Sequence, residues 1–301
     1  MTIGNLLSEA SSTPPAKILW PMANEERFPT LDGNEIFLRI ADPIGTPRAT
    51  VLITHGLGEH SGRYGHVATF LIRRGFRVAA WDLRGHGRSS GGRGDVENYA
   101  HFLQDLTTVS DRCRLAGAPF FLFAHSMGGQ VVLRAIEERS VQCEGAVVAS
   151  PWLRLAYNPP WWKLLLARVA LLMHPGFLQS TGNRWERLSR DLEHLASFPD
   201  PDLALVHHRI SARMYFFMRA EGERVLQKAK ELHVPLLLLH GDQDPITSHR
   251  ATAEFCERAG SSDKTLRIYP GGVHETHNDL DRESVLREIG EWIERRLLGQ
   301  P

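Results

Sequence analysis

The stretch Pro119-Phe-Phe-Leu-Phe-Ala-His125-Ser126-Met127-Gly128-Gly129 decides the fold. Phe120 to Phe123 is an unbroken apolar and aromatic run, the character of a strand buried on both faces. Val131, Val132, Ala135 and Ile136 follow at helical spacing. The stretch reads as strand, tight turn and helix, with Ser126 at the joint. A serine there projects its hydroxyl above a sheet, its small neighbours let the chain turn sharply, and the helix amino terminus favours developing negative charge. The pattern is that of a nucleophile elbow, G-x-S-x-G, with one departure: Ala124 stands at the first glycine position, while Gly128 keeps the second. An added methyl group still allows close packing of strand and helix. The alternative reading of Ser126 is a helix cap, a common role for serine.

Outward from the elbow, strands alternate with helices. Upstream, Gly75 to Trp81 is a strand ending in Asp82-Leu-Arg84-Gly85-His86-Gly87-Arg88-Ser89, and Ala49 to Thr54 is another, followed by His55-Gly-Leu-Gly-Glu-His-Ser-Gly-Arg-Tyr64 and a helical pattern through Arg74. Ala23 to Asp42 holds a hairpin of expected edge strands that turns at Leu31-Asp-Gly-Asn34. Around the elbow, a helix is expected over Val96 to Leu115, the elbow helix runs to Arg139, and Gly145 to Ser150 is a strand. Such alternation implies a parallel sheet with right-handed crossovers. Asp82 is expected to pair with Arg84 and brace a turn rather than act chemically. Gly56 and Gly58 let the main chain approach a ligand, so the backbone N–H of Leu57, with that of Met127, is a candidate oxyanion hole; an ordinary glycine turn is the alternative.

From Pro151 to about Leu226 the rhythm lapses into helical patterns broken by Pro159-Pro160, His174-Pro-Gly176 and Phe198-Pro-Asp-Pro201. This is the candidate lid. Its segment Trp161-Trp-Lys-Leu-Leu-Leu-Ala-Arg-Val-Ala-Leu-Leu-Met173 is strongly apolar but shorter than the roughly 17 to 25 residues that span a bilayer. Two readings stay open: a greasy wall for an acyl chain, resting on lipid, or a buried lid helix. On the first, Trp161, Trp162 and Leu165 are candidate substrate contacts.

Regularity returns with the strand Val234 to Leu239 and the loop His240-Gly-Asp-Gln-Asp244-Pro-Ile246. A helix to Arg258, the strand Thr265 to Tyr269, the loop Pro270-Gly-Gly-Val-His274-Glu-Thr-His277 and a helix from Arg282 to Leu298 follow. A serine hydroxyl is a weak nucleophile, so a histidine must take its proton and an acid must hold that imidazole in the right tautomer. Asp244 is preferred over Asp242 because it stands farther past the strand end. His274 is preferred over His277 because it follows the flexible Gly271-Gly272. The order Ser126, Asp244, His274 is the serine, acid, histidine order of the α/β-hydrolases.

Composition sets the outer limits. The 301 residues fit one core with an insertion: a leader over 1–22, a core over 23–150 and 227–301, and a helical lid over 151–226. Lys and Arg total 35, as do Asp and Glu, which gives no reason to expect a nucleic acid partner. Cys113, Cys143 and Cys256 are odd in number, widely spaced and in no metal-binding pattern, so no metal is expected and a reducing, cytoplasmic setting fits. Residues 1–15 lack the basic start and apolar centre of a targeting signal.

The loop His55 to Tyr64, the strand end Asp82 to Ser89, the elbow Ala124-His-Ser-Met-Gly-Gly129 and Gly241-Asp-Gln-Asp-Pro245 together resemble the monoacylglycerol lipase and lysophospholipase family, over most of residues 25–298. The resemblance implies an α/β-hydrolase with a mostly parallel central sheet flanked by helices and a helical lid. It implies a triad of Ser126, Asp244 and His274, oxyanion donors at Leu57 and Met127, and no cofactor. The expected activity is hydrolysis of single-chain acyl esters such as monoacylglycerols or lysophospholipids. A short-chain carboxylesterase, a prolyl-type serine peptidase and a non-catalytic ligand receptor are the alternatives on the same scaffold.

Overall fold

The structure, a computed structural model, describes residues 17–182, 184–199 and 203–299. Its first part comprises β1 (Asn24–Pro29), β2 (Glu35–Ala41), β3 (Thr50–Thr54), α1 (Gly65–Arg73), β4 (Arg77–Asp82), α2 (Ala100–Cys113), β5 (Phe120–His125), α3 (Ser126–Glu137) and β6 (Gly145–Ala149). A less regular part holds α4 (Trp161–Met173), β7 (Leu178–Ser180), α5 (Trp185–Leu188), α6 (Leu192–Ala196), β8 (Arg209–Ser211) and α7 (Ala212–Lys228). The chain then forms β9 (Leu236–Gly241), α8 (His249–Arg258), β10 (Lys264–Tyr269) and α9 (Arg282–Leu297).

Eight strands make one sheet in the order β1-β2-β4-β3-β5-β6-β9-β10. From β4 to β10 every pairing is parallel, and the β1–β2 hairpin is added antiparallel at one edge. Only β1 of that hairpin is an edge strand, because β2 lies between β1 and β4. The hairpin turns where expected: Gly33 takes a φ of 78° and the Thr30 N–H donates to the Asn34 carbonyl at 2.7 Å.

Successive strand residues face opposite sides of a sheet, so each strand feeds two cores. Leu52, Ala79, Leu122, Val148 and Leu238 pack with α2, α3, α7 and α8 on one face. Val51, Val78, Phe121, Phe123 and Leu237 pack with α1 and α9 on the other. Both faces are covered, which is why these strands read as continuous apolar runs rather than alternating ones. Phe121, Phe123 and Trp292 are each buried to within 1% of complete, and burying a large apolar side chain contributes about 1.5–3 kcal/mol.

Asp82 and Arg84 are not partners. The Asp82 carboxylate accepts the backbone N–H groups of Ser61 and Arg88, both at 2.7 Å. Arg84 forks onto Asp105 of α2 at 2.6 and 2.7 Å and reaches Asp32 of the hairpin turn at 2.7 Å. The two residues brace different parts of the same end of the sheet.

The segment 151–226 is not purely helical, since β7 and β8 pair antiparallel within it. Its last helix, α7, is capped by Ser211, whose side chain accepts the Met214 N–H, and runs on past the expected boundary at 226. Around α5 the segment is tied to the loops that follow β9 and β10. Arg187 donates to the Pro245 carbonyl at 2.6 Å, the Glu275 N–H to the Leu188 carbonyl at 2.8 Å, and Ser189 Oγ to the Asn278 carbonyl at 2.9 Å. The Arg190 N–H and Nε each donate to the Asp279 carboxylate at 2.9 Å. Of the leader expected over 1–22, residues 1–16 lie outside the described residues. Residues 17–22 touch the fold, the Ile18 N–H donating to the Ser197 carbonyl and the Trp20 indole to the Ser61 carbonyl, both at 2.8 Å.

Candidate active site

Ser126 is the first residue of α3 and has a φ of 51°, in the left-handed region that side chains other than glycine occupy at a cost of order 1–3 kcal/mol. The surroundings enforce it. Strand β5 is buried throughout, and α3 sits so close to the end of β3 that a Cβ at Gly128 would stand 2.3 Å from the His55 carbonyl oxygen. Ala124 is also fully buried, between Thr54 of β3 and Val148 of β6, and its methyl is part of the packed core. His125, not Ser126, holds the cap position of α3, and no side chain caps that helix. The capping alternative for Ser126 therefore falls: its hydroxyl meets an imidazole instead.

That imidazole is His274, whose Nε2 lies 3.0 Å from Ser126 Oγ and whose Nδ1 lies 2.7 Å from Asp244 Oδ2. A carboxylate can only accept, so the Nδ1 proton points at Asp244 and the Nε2 lone pair faces the serine hydroxyl. Asp244 is held from four further directions. Oδ1 accepts the Ile246 and Thr247 N–H groups at 2.7 and 3.0 Å, and Oδ2 accepts Thr247 Oγ1 at 2.7 Å and His240 Nε2 at 3.0 Å. Burial works to raise the Asp244 pKa, but His274 and the hydrogen bonds from His240 and His274 hold it well below the usual carboxylate range. For His274, burial opposes the charged form and the Asp244 carboxylate outweighs it, leaving the imidazole pKa above its ordinary 6.5.

A general base must be unprotonated to accept a proton. Activity is therefore expected to be full above the raised pKa of His274 and to fall about tenfold per pH unit below it. A profile of kcat/KM against pH would check this, and a flat profile from pH 5 to 8 would exclude His274 as the base.

The rivals do other work. Asp242 accepts the Gly271 N–H at 2.7 Å and braces the loop after β10. His277 is fully buried, stacked on Tyr64 with centroids 5.1 Å apart. Leu57 lines the cavity above Ser126, and Met127 lies in the first turn of α3, where backbone N–H groups have no intrahelical partner. The Leu57 loop is pinned on both sides. The Gly56 N–H donates to Glu59 at 2.6 Å, and Gly58, with a φ of 79°, accepts the His207 N–H at 2.8 Å. A Cβ at Gly58 would stand 2.1 Å from the His207 carbonyl oxygen, so only glycine fits.

The cavity has two characters. Leu57, Trp152, Leu155, Tyr157, Ile210 and Tyr215 supply apolar walls, while Glu59, Arg63, His125 and Glu275 form a polar one. Sequence reasoning missed the polar group. Its signal was available in part, since Glu59 and Arg63 stand four residues apart inside the loop quoted above and Glu275 follows His274 directly. The three candidate substrate contacts are not brought to Ser126. Trp161, Trp162 and Leu165 are 75%, 48% and 53% exposed. Trp162 lines a neighbouring groove along α4, and no residue of α4 is buried, so the buried-helix alternative does not hold. No helix among the described residues is long and apolar enough to cross a membrane.

The family described as serine aminopeptidase, S33, matches residues 45–281. Human monoglyceride lipase is 34% identical over 274 residues, which cover 88% of this chain and 88% of that protein. This chain belongs to the monoacylglycerol lipase family. The crystal structure of Paleococcus ferrophilus monoacylglycerol lipase is similar at a TM-score of 0.76 and 34% identity, covering 86% of this chain and 99% of that one. An abhydrolase domain-containing protein of Dictyostelium discoideum is 33% identical over 270 residues; the match covers 89% of this chain but 28% of that longer protein. The mixed sheet with helices on both faces is the α/β-hydrolase fold of this family.

Proposed function

We propose that the protein is a serine hydrolase of single-chain acyl esters, with monoacylglycerols as the leading substrate class, acting through an acyl-enzyme on Ser126. The observation that carries this reading is the hydrogen-bond chain Ser126, His274, Asp244 at 3.0 and 2.7 Å, at the floor of a cavity with an apolar wall. Ser126 Oγ attacks the ester carbonyl as His274 Nε2 takes its proton. The N–H groups of Leu57 and Met127 receive the charge on the carbonyl oxygen. His274 passes its proton to the departing alkoxide, freeing the alcohol and leaving the acyl group on Ser126. A water then loses a proton to the same nitrogen, attacks the acyl carbon, and releases the fatty acid as Ser126 regains its proton.

In this reading the segment 151–226 is the lid between the two parts of the core. The exposed apolar residues of α4 and its surroundings, Trp161, Leu166, Leu172 and Phe177 among them, meet lipid at the edge of a membrane. The protein works in the cytoplasm, where its odd number of dispersed cysteines stays reduced.

Purified protein is expected to release fatty acid and glycerol from a monoacylglycerol, and to favour longer over shorter acyl chains in a series of p-nitrophenyl esters. A sharp preference for acetate would favour the short-chain esterase, and cleavage of peptide amides ahead of esters the peptidase. No labelling of Ser126 by a fluorophosphonate would favour the receptor.

A further inference from the structure

The polar wall carries more charge than acyl transfer requires. Glu59, Arg63 and Glu275 are 4%, 1% and 1% exposed. Arg63 Nη1 donates to Glu59 Oε2 at 3.0 Å and to Glu275 Oε1 at 2.8 Å, and Nη2 donates to Glu275 Oε2 at 2.7 Å. Arg63 is the one Lys or Arg among the described residues lining this cavity, and both its terminal nitrogens are already engaged by carboxylates. The histidines of the lid side add no cation near neutral pH: burial pushes His207 down to about 4 and also lowers His208. The wall therefore sets two carboxylates against one guanidinium, with Asp244 behind His274.

The two walls lead in different directions. Tyr157, Thr181, Ile210 and Tyr215 line both the Ser126 cavity and the groove along α4, so an apolar path runs from the serine towards α4. On the ester-hydrolase reading, an acyl chain on that path leaves the esterified head group against Glu59, Arg63 and Glu275.

We propose that Glu275 sets the head-group specificity of this site, making the wall acidic so that uncharged polyol esters are accepted and phosphate-bearing lysophospholipids are turned away. The proposal rests on the ester-hydrolase reading above. A phosphate placed there meets two carboxylates and a guanidinium that both already engage, the repulsive element that discrimination between otherwise similar ligands calls for. Glu275 is the better lever of the two acids. Glu59 also holds the Gly56 N–H, Tyr64 and His125, so changing it disturbs the loop bearing Leu57. Among the described residues the Glu275 side chain hydrogen-bonds to Arg63 and the Asn278 amide, and its backbone is held separately by Leu188.

The experiment compares kcat/KM for a monoacylglycerol and for lysophosphatidate of the same acyl chain, in neutral detergent micelles, for the parent, Glu275→Gln and Glu275→Asp. The parent is expected to prefer the monoacylglycerol by about 100-fold or more. Glu275→Gln leaves Arg63 with a single carboxylate and is expected to narrow that ratio about tenfold, chiefly through faster phosphate-ester turnover, while Glu275→Asp keeps the parent's ratio. A parent that hydrolyses both esters within about threefold of each other overturns the proposal without any variant. So does a Glu275→Gln protein with the parent's melting temperature and an unchanged ratio. Failure of the parent to cleave either ester would instead overturn the hydrolase reading, so the two failures are distinct.

Discussion

Ser126→Ala is expected to lower ester turnover about 10⁶-fold, the scale on which a serine hydrolase loses activity with its nucleophile. The loss is so large because, among the described residues, Ser126 supplies the hydroxyl that faces His274 Nε2. Ser140, beyond the far end of α3, donates its hydroxyl to the Ala135 carbonyl instead, and Ser150, after β6, is buried. The fold should tolerate the change, because the serine hydroxyl caps no helix and alanine is its nearest match in size. Single-turnover assays of purified parent and variant, with melting temperatures beside them, provide the check. A variant retaining more than about 1% of parent turnover would rule out Ser126 as nucleophile.

Asp244→Asn is expected to cost about 10⁴-fold in kcat with little change in KM. The geometry gives the reason. Oδ1 of Asp244 accepts two backbone N–H groups, so the asparagine carbonyl must take that position. Its NH₂ then replaces Oδ2 and points at His274 Nδ1, His240 and Thr247. A donor facing Nδ1 forces the His274 proton onto Nε2, where it blocks acceptance from Ser126. The variant is also expected to melt lower, because a buried hydrogen-bonded carboxylate is lost. Nuclear magnetic resonance of the imidazole protons would detect the tautomer change, and kinetics near the parent rate would sink the role given to Asp244.

What could be read without coordinates was what depends on near neighbours. The elbow lies in consecutive residues, where a buried strand, small residues and helical spacing succeed one another. The glycines before His274 separated it from His277, which is stacked against Tyr64. Features built from distant residues stayed hidden. Asp82 stands two places from Arg84, yet its carboxylate is taken by the Ser61 N–H, 21 positions upstream, and by Arg88. Arg63 and Glu275 are 212 positions apart. Strands β7 and β8 have three residues each, too few for alternation to register. The apolar helix α4 was as consistent with burial as with exposure, since an all-round apolar helix says only that it avoids water, not what covers it.

The ties around α5 carry a consequence for how this enzyme family member can vary. Arg187 grips the loop of Asp244, and Leu188, Ser189 and Arg190 grip the loop of His274. The covering segment is thus part of the scaffold that aims the imidazole. Trimming or grafting it to change which molecules enter would be felt at the reacting atoms, whereas α4, with no buried residue, is where sequence can drift without disturbing that aim.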